Sequence, residues 1–260
     1  LCLPDDASIE AASVVTNPNA RLIDASTAHR IADGWVYGFP EYNRTQAAEI
    51  AKAKRVANPG CYALTSISIL YPLVDAGILP TDWPVTINAI SGYSGGGKGM
   101  IATFEDKENA AYTETPFFAY GLGLNHKHLP EITHWSGISH SPLFVPSVGR
   151  YAQGMIVQIP LPLWSMSGNF KAKDVHQALS DHYDGQNFVS VAPLSETQEL
   201  SKLEPEGLNN TNELRLHVFM DASSEQVVVA GLLDNLGKGA SGQAVQNLNL
   251  MLNVDESNGL

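Results

Sequence analysis

Arg55-Val56-Ala57-Asn58-Pro59-Gly60-Cys61-Tyr62-Ala63-Leu64-Thr65-Ser66-Ile67-Ser68-Ile69-Leu70 is the stretch on which the fold turns. Arg55-Val56-Ala57 reads as the end of a short strand, and Pro59 with Gly60 makes a tight turn. Leu64, Ile67, Leu70, Val74 and Ile78 then recur at the spacing of one helix face. Gly77 and Pro80 close that helix. Strand, turn and helix in succession are the unit of a parallel sheet, and they set Cys61 at or just before a helix N-terminus. A thiolate there gains from the helix dipole and from unpaired backbone N–H groups, which is expected to lower its pKa and make Cys61 a nucleophile. The alternative is a buried structural cysteine, since free cysteine is among the most buried residue types.

The same alternation extends upstream. Arg21-Leu22-Ile23-Asp24 is a second short strand, and its loop, Ala25-Ser26-Thr27-Ala28-His29-Arg30, leaves where open α/β sheets bind ligands. Residues 45–55 suit a helix. Leu1-Cys2-Leu3 running into Pro4-Asp5 resembles the end of a buried parallel strand, with residues 8–15 a candidate helix. A strand buried on both faces needs earlier parallel neighbours. Two further βα units, roughly 50–70 residues at about 30 per βαβ step, are therefore expected ahead of Leu1.

From residue 84 the texture changes. Strand-like runs at 85–90, 154–159, 214–220 and 226–233 indicate a mixed sheet, and residues 195–213 read as a long polar surface loop. After Asp234 a Gly-rich turn leads into a helix carrying Ala244, Val245, Leu248, Met251 and Leu252. The organisation expected is α/β plus α+β, with units at residues 1–83 and 84–233 and a closing segment, 234–260, that returns to the first.

Composition narrows the function. In 260 residues, 44% are hydrophobic, enough for a substantial core, and 15 Lys and Arg stand against 27 Asp and Glu for a formal charge of −12. With no basic stripe, nucleic acid is not an expected partner. No apolar run approaches the roughly 18 residues of a membrane span. Two cysteines in unlike contexts argue against a disulfide scaffold and for a reducing, cytoplasmic setting.

A nucleophilic thiol needs a base that later returns a proton, and Asn125-His126-Lys127-His128-Leu129-Pro130-Glu131-Ile132 offers His128 or His126. Pro130 suits a first helical turn, where Glu131 would favour the dipole. His126, His128 and His134 complete no zinc-ligand set of accepted spacing, so no metal is expected. Ser91-Gly92-Tyr93-Ser94-Gly95-Gly96-Gly97-Lys98-Gly99 follows a strand and exposes backbone N–H groups that a phosphate could use, with Lys98 adding charge. It lacks the Gly-Lys-Ser/Thr ending of a P-loop. Asn235-Leu236-Gly237-Lys238-Gly239-Ala240-Ser241-Gly242-Gln243 similarly places glycines, Asn and Lys before a helix, either as a ligand contact or as a plain helix cap.

In this order, Ile23-Asp24-Ala25-Ser26-Thr27-Ala28-His29-Arg30 with Tyr37-Gly38-Phe39-Pro40-Glu41, Asn58-Pro59-Gly60-Cys61-Tyr62, the His126 to Ile132 block and the segment from Asp234 to Asn249 resemble the N-acetyl-gamma-glutamyl-phosphate reductases, shorter type. Residues across nearly the whole chain carry the resemblance. It implies a Rossmann-type cofactor domain, a mixed-sheet catalytic and oligomerisation domain, a homo-oligomer, and NADPH (NADP) as the cofactor. It implies Cys61 as nucleophile attacking an acyl phosphate, His128 or His126 as acid/base, and Glu131 as orienter or substrate contact. Arg30 and Asn58 would meet the substrate, and Ser94, Gly95, Gly96, Lys98 and Asn235 the nicotinamide cofactor. Lys98 and Asn235 are expected on one cleft with Cys61. The glycine fingerprint of the first βα turn is absent, its natural place being before Leu1, so the residue that selects NADPH over NADH is not in view. The competing readings are an aspartate-semialdehyde dehydrogenase, a cofactor-free Cys-His hydrolase or acyltransferase, and a non-catalytic binding subunit.

Overall fold

A computed structural model describes residues 1–260. The chain opens with helix α1 (Asp5–Val14), whose first turn carries Asp5 and Asp6 at the positive end of the dipole. Strands β1 (Leu22–Asp24), β2 (Val36–Tyr37) and β3 (Arg55–Ala57) form a small all-parallel sheet in the order β1-β3-β2, flanked by α2 (Gln46–Lys52). Leu1 runs beside β1, donating from its amino group to Ile23 O at 2.5 Å and accepting from Ala25 N at 3.0 Å. Residues 1–3 form no registered strand, and Leu3 is 42% exposed.

Helix α3 (Cys61–Asp75) leads to the second sheet, β4 (Thr86–Gly92), then α4 (Gly97–Glu105), β5 (Phe117–Ala119), α5 (Leu129–Ser136), β6 (Leu143–Gly149) and β7 (Met155–Pro162). The chain continues through α6 (Ala172–Tyr183), β8 (Val189–Val191), α7 (Leu194–Glu199), β9 (Leu214–Met220) and β10 (Gln226–Leu233) to α8 (Gly242–Leu252). The seven strands run β5-β6-β4-β7-β10-β9-β8, with β4 parallel to β6, β8 parallel to β9 and the remaining pairs antiparallel.

The packing departs from the expected division at residue 84. Leu64, Ile67 and Leu70 of α3 share one hydrophobic core with Met155, Val157, Leu216, Val218 and Val229 of the seven-stranded sheet. Ile50, Ala53, Val56 and Met251 make a separate small cluster around the first sheet. Helix α3 therefore belongs physically to the second sheet, with Cys61 at the seam. Two loop expectations also change: residues 93–96 are a 3-10 turn continuing into α4, and α7 occupies the start of the 195–213 loop.

Helix α8 turns its polar face inward. Gln243, Gln246, Asn247 and Asn249 are buried, while Leu248 and Leu252 are 44% and 62% exposed. The cause is a set of obligatory hydrogen bonds: Asn247 Nδ2 donates to Gly38 O at 2.9 Å and to Asn58 Oδ1 at 3.0 Å. Gln246 joins a buried ion pair. Lys238, on a single π-turn (Gly237–Ser241) preceding α8, is 0% exposed, and its Nζ lies 2.7 Å from Glu41 Oε1 and 2.7 Å from Gln246 Oε1. The ammonium also sits 5.7 Å and 5.4 Å from the ring centres of Phe39 and Phe188.

Taking away one member of such a pair strands a charge in the core. Lys238→Met is expected to cost about 3–5 kcal/mol of stability, with Glu41→Leu added to it restoring most of the loss. Urea denaturation of the two variants reads this directly, and a single-variant loss of about 1 kcal/mol or less, the worth of an exposed pair, would contradict it.

Candidate active site

A cavity of about 570 Å³ opens along the seam between the two sheets, a size that suits a small-molecule site. Cys61, Arg30, Asn58, Ser94, Gly95, His126, His128 and Asn235, all expected as functional residues, line it. Gly96 and Lys98 do not: Gly96 is backed by the Met100 side chain, and Lys98 is exposed on α4. The Gly-rich stretch folds into helix there rather than staying an open loop, which carries Lys98 off the cleft that holds Cys61 and Asn235.

The turn before Cys61 is held by one carboxylate. Glu131, 2% exposed, accepts from Gly60 N at 3.0 Å and Tyr37 OH at 2.9 Å through Oε1, and from Arg30 Nη1 at 2.9 Å through Oε2. Burial pushes the Glu131 carboxyl up, against the opposing pull of Arg30, the Gly60 amide and Tyr37, all of which favour the ionised form. Glu131 does not line the cavity, and its contacts hold the turn in place.

Arg30 and Asn58 are likewise occupied. Arg30 Nε donates to Asn58 O and Nη2 to Ala25 O, both at 3.1 Å, while the Arg30 carbonyl accepts from Trp135 Nε1 at 2.8 Å. Its loop is fixed by buried Asp24, whose carboxylate takes Ser8 Oγ, Ser26 Oγ and His29 Nδ1 at 2.7, 2.6 and 2.6 Å. Asn58 spends its Nδ2 on Ala240 O at 3.0 Å and its Oδ1 on Asn247. Arg30 and Asn58, expected to meet the substrate, both border the cavity, and most of their polar capacity braces it.

Close approach explains two glycines. A Cβ on Gly60 would stand 2.4 Å from both Arg30 Nη1 and His128 Nε2, so only glycine lets these two nitrogens converge over the turn. A Cβ on Gly239 would stand 2.8 Å from the Cβ of Cys61, which places the π-turn directly against the nucleophile candidate.

The electrostatics also differ from expectation. Burial pushes the Cys61 thiol up, against the opposing pull of the Tyr62 N–H and of Arg30. The helix terminus acts as anticipated, but desolvation outweighs it. Burial holds His128 well below its usual range, and Arg30, His126 and Lys127 push the same way. His126 is lowered to about 4, again chiefly by burial. The resting site is therefore a neutral thiol with two neutral imidazoles. His126 Nδ1 accepts from His128 N at 3.2 Å, which fixes its Nε2–H tautomer, and His128 Nδ1 is buried without a partner. His134, weighed as a possible zinc ligand, packs its ring 4.9 Å from Trp135, and no three metal-ligating side chains converge anywhere in the chain.

At the far end, Asn235 Oδ1 accepts from Gly154 N at 2.7 Å and Nδ2 donates to Ser94 Oγ at 3.0 Å, tying the strap after β10 to the turn after β4. Sequence reasoning gave no role to Tyr62, Tyr120, Lys127 or Gly239, all of which line the cavity. Tyr62 adjoins Cys61 and Lys127 sits inside the His-x-His block, so position within a motif was their one available signal. Tyr120, whose hydroxyl donates to Tyr62 Oη at 3.3 Å, had none.

Neutral buried histidines make stability depend on acid. Between the ordinary histidine value of 6.5 and the value of about 4 for His126, the unfolded chain takes up protons that the native chain refuses. Unfolding free energy is expected to fall as pH drops through that window, with His128 contributing in the same sense. His126→Gln should flatten the curve, measured by denaturant unfolding at a series of pH values; a slope unchanged by the substitution would contradict this assignment.

With the geometry in hand, comparisons place the chain among known proteins. Residues 61–235 match the family model described as semialdehyde dehydrogenase, dimerisation domain. That match begins at the first residue of α3, where the packing also divides. The chain is similar to the N-acetyl-gamma-glutamyl-phosphate reductase of Chelativorans sp. (strain BNC1), 50% identical over 97% of this chain and 81% of that protein. It is equally similar to the enzyme of the same name from Rhizobium meliloti (strain 1021), at 50% identity over 98% and 82%. Among solved structures it resembles aspartate semialdehyde dehydrogenase II from Vibrio cholerae with a TM-score of 0.67, covering 96% of this chain and 78% of that one. At 18% identity that likeness speaks to fold alone.

Proposed function

The chain belongs to the N-acetyl-gamma-glutamyl-phosphate reductase family, and on that premise we propose that Cys61 carries the acyl group as a thioester during the reduction of N-acetyl-gamma-glutamyl phosphate to the semialdehyde. The reaction is the family's oxidoreductase step in arginine biosynthesis. The observation that supports the assignment of Cys61 is its position in a cavity without any lining aspartate or glutamate, at the start of α3 and beside two neutral imidazoles.

A neutral His128 can accept the thiol proton as Sγ approaches the acyl carbon. The Sγ–C bond forms, the C–O bond of the acyl phosphate breaks, and the proton passes through the imidazole to the departing phosphate. This divides one hard displacement into two easier steps. A nicotinamide cofactor, when bound, supplies the hydride that reduces the thioester. His128 or His126 then handles the proton as the C–S bond breaks and Cys61 is restored. Ser94, Gly95 and Asn235 would hold the nicotinamide end: the cavity spans from Cys61 to these residues, its wall is open at Gly95 and Gly97, and no lining carboxylate opposes an anionic ligand. We assign NADPH as the reductant on the family resemblance. A homo-oligomer built through the dimerisation-type domain, and a cytoplasmic setting, complete the reading; no helix is long and apolar enough to cross a membrane.

Cys61→Ser is expected to bind ligands yet lose nearly all turnover, because a serine hydroxyl is far less acidic than a thiol and no carboxylate supports His128, whose Nδ1 has no partner. His128→Ala should slow kcat by roughly 10²–10⁴, the usual range for a lost general acid/base, and distort the pH profile. Steady-state reduction followed by cofactor absorbance, with acid-quench mass spectrometry for the acyl adduct at Cys61, tests both. A serine variant that still reduces the acyl phosphate at near-native rate would refute the thioester.

A further inference from the structure

Two permanently cationic side chains line the cavity beside Cys61, Arg30 and Lys127, and no aspartate or glutamate does. The two cations are not equivalent. Arg30 is 7% exposed, paired with Glu131 at 2.9 Å and spread over two backbone carbonyls, so its donors are largely spent, although its charge is still felt at Cys61 and His128. Lys127 is exposed between His126 and His128, and none of the chain's ion pairs involves it. Its charge reaches the reacting groups, favouring a thiolate at Cys61 and disfavouring imidazolium at both histidines. In a chain of formal charge −12, Lys127 is the one cation lining this cavity that no carboxylate pairs.

We infer that Lys127 binds the phosphoryl group of the acyl phosphate and holds it as it leaves, so that the site also takes free inorganic phosphate. The inference rests on the reading of Cys61 as acyl acceptor and names the group that receives what Cys61 displaces. Negative charge on the phosphate grows as the C–O bond breaks, and a cation aimed at developing charge stabilises the transition state more than the ground state. A lysine suits this better than the braced Arg30. Its ammonium rides on a flexible four-carbon stem and can follow the phosphate outward, whereas the Arg30 fork is locked by its three contacts.

The test needs no turnover, which separates it from the thioester reading. Iodoacetamide alkylation of Cys61 in the enzyme is followed by peptide mass spectrometry, with exposed Cys2 as internal reference, across a titration of inorganic phosphate. Phosphate is expected to slow alkylation of Cys61 and not of Cys2. Lys127→Met should raise the half-protecting phosphate concentration by roughly 10-fold or more, the scale of a lost charge-assisted contact, relative to its own unprotected rate. Lys127→Arg should retain protection, as should Lys98→Met, which removes an exposed cation outside the cavity. N-acetylglutamate, which offers carboxylates without phosphate, should protect native and Lys127→Met enzyme alike. The inference is overturned if phosphate fails to protect the native enzyme, if Lys127→Met leaves the half-protecting concentration unchanged, or if that variant loses protection by N-acetylglutamate while keeping it for phosphate.

Discussion

The buried carboxylate of Glu131 is the interaction on which the site depends. It lies on α5, yet its three donors come from segments 94, 71 and 101 residues away in sequence: Tyr37, the Gly60 amide and Arg30. Through Tyr37 it ties α5 to the small parallel sheet, through Gly60 it sets the turn ahead of Cys61, and through Arg30 it closes the crevice beyond β1. A buried carboxylate is tolerable there because all three contacts donate to it, two of them from groups that can only donate. The hydrogen bond to Gly60 also explains why no side chain caps α3: the turn is already pinned from outside, leaving the first N–H groups of the helix facing Cys61 and the cavity.

From that scaffold follows the electrostatic character of the site. Burial pushes the Cys61 thiol up and the His128 imidazole down, and at Cys61 the Glu131 carboxylate opposes the pull of Arg30, so both groups are held in their neutral forms. A neutral pair differs in chemistry from a standing thiolate–imidazolium pair. A neutral imidazole can take the thiol proton as Sγ attacks an electrophile, and a neutral thiol is less readily oxidised than a thiolate. The neutral His126, held by the His128 amide, keeps a second imidazole beside the first without adding charge.

How much of this was legible in the sequence depended on whether the deciding interaction was local. Strands β9 and β10 match the runs at 214–220 and 226–233 residue for residue, because alternation and composition both favour pleated, half-buried chain. Strand β6 went unanticipated because Pro146 interrupts it; Pro146 lies just past the end of β5, where its carbonyl still accepts from Tyr120 N at 3.1 Å while its ring supplies no N–H. Cys61 and the histidines were readable from a turn and a motif. Their protonation states were not, since desolvation depends on what packs above them. Helix α8 shows the limit most plainly: of the apolar residues it carries, Leu248 and Leu252 are exposed, whereas Gln246 and Asn247 face the core because Lys238, Gly38 and Asn58 there need partners.

Two buried cation–carboxylate pairs frame the cavity, and they do different things. Lys238 with Glu41 stands behind the wall, holding the π-turn whose other side sets Gly239 against Cys61; a π-turn widens the helix locally and is a common device at functional sites. Arg30 with Glu131 stands at the wall itself and fixes the turn that carries the nucleophile. Each pair is neutral as a unit and has most of its donors and acceptors spent within the frame, so the free hydrogen-bonding capacity offered to an anionic ligand comes from groups outside both pairs. With the histidines neutral and no carboxylate lining the cavity, that leaves one lysine that no carboxylate pairs.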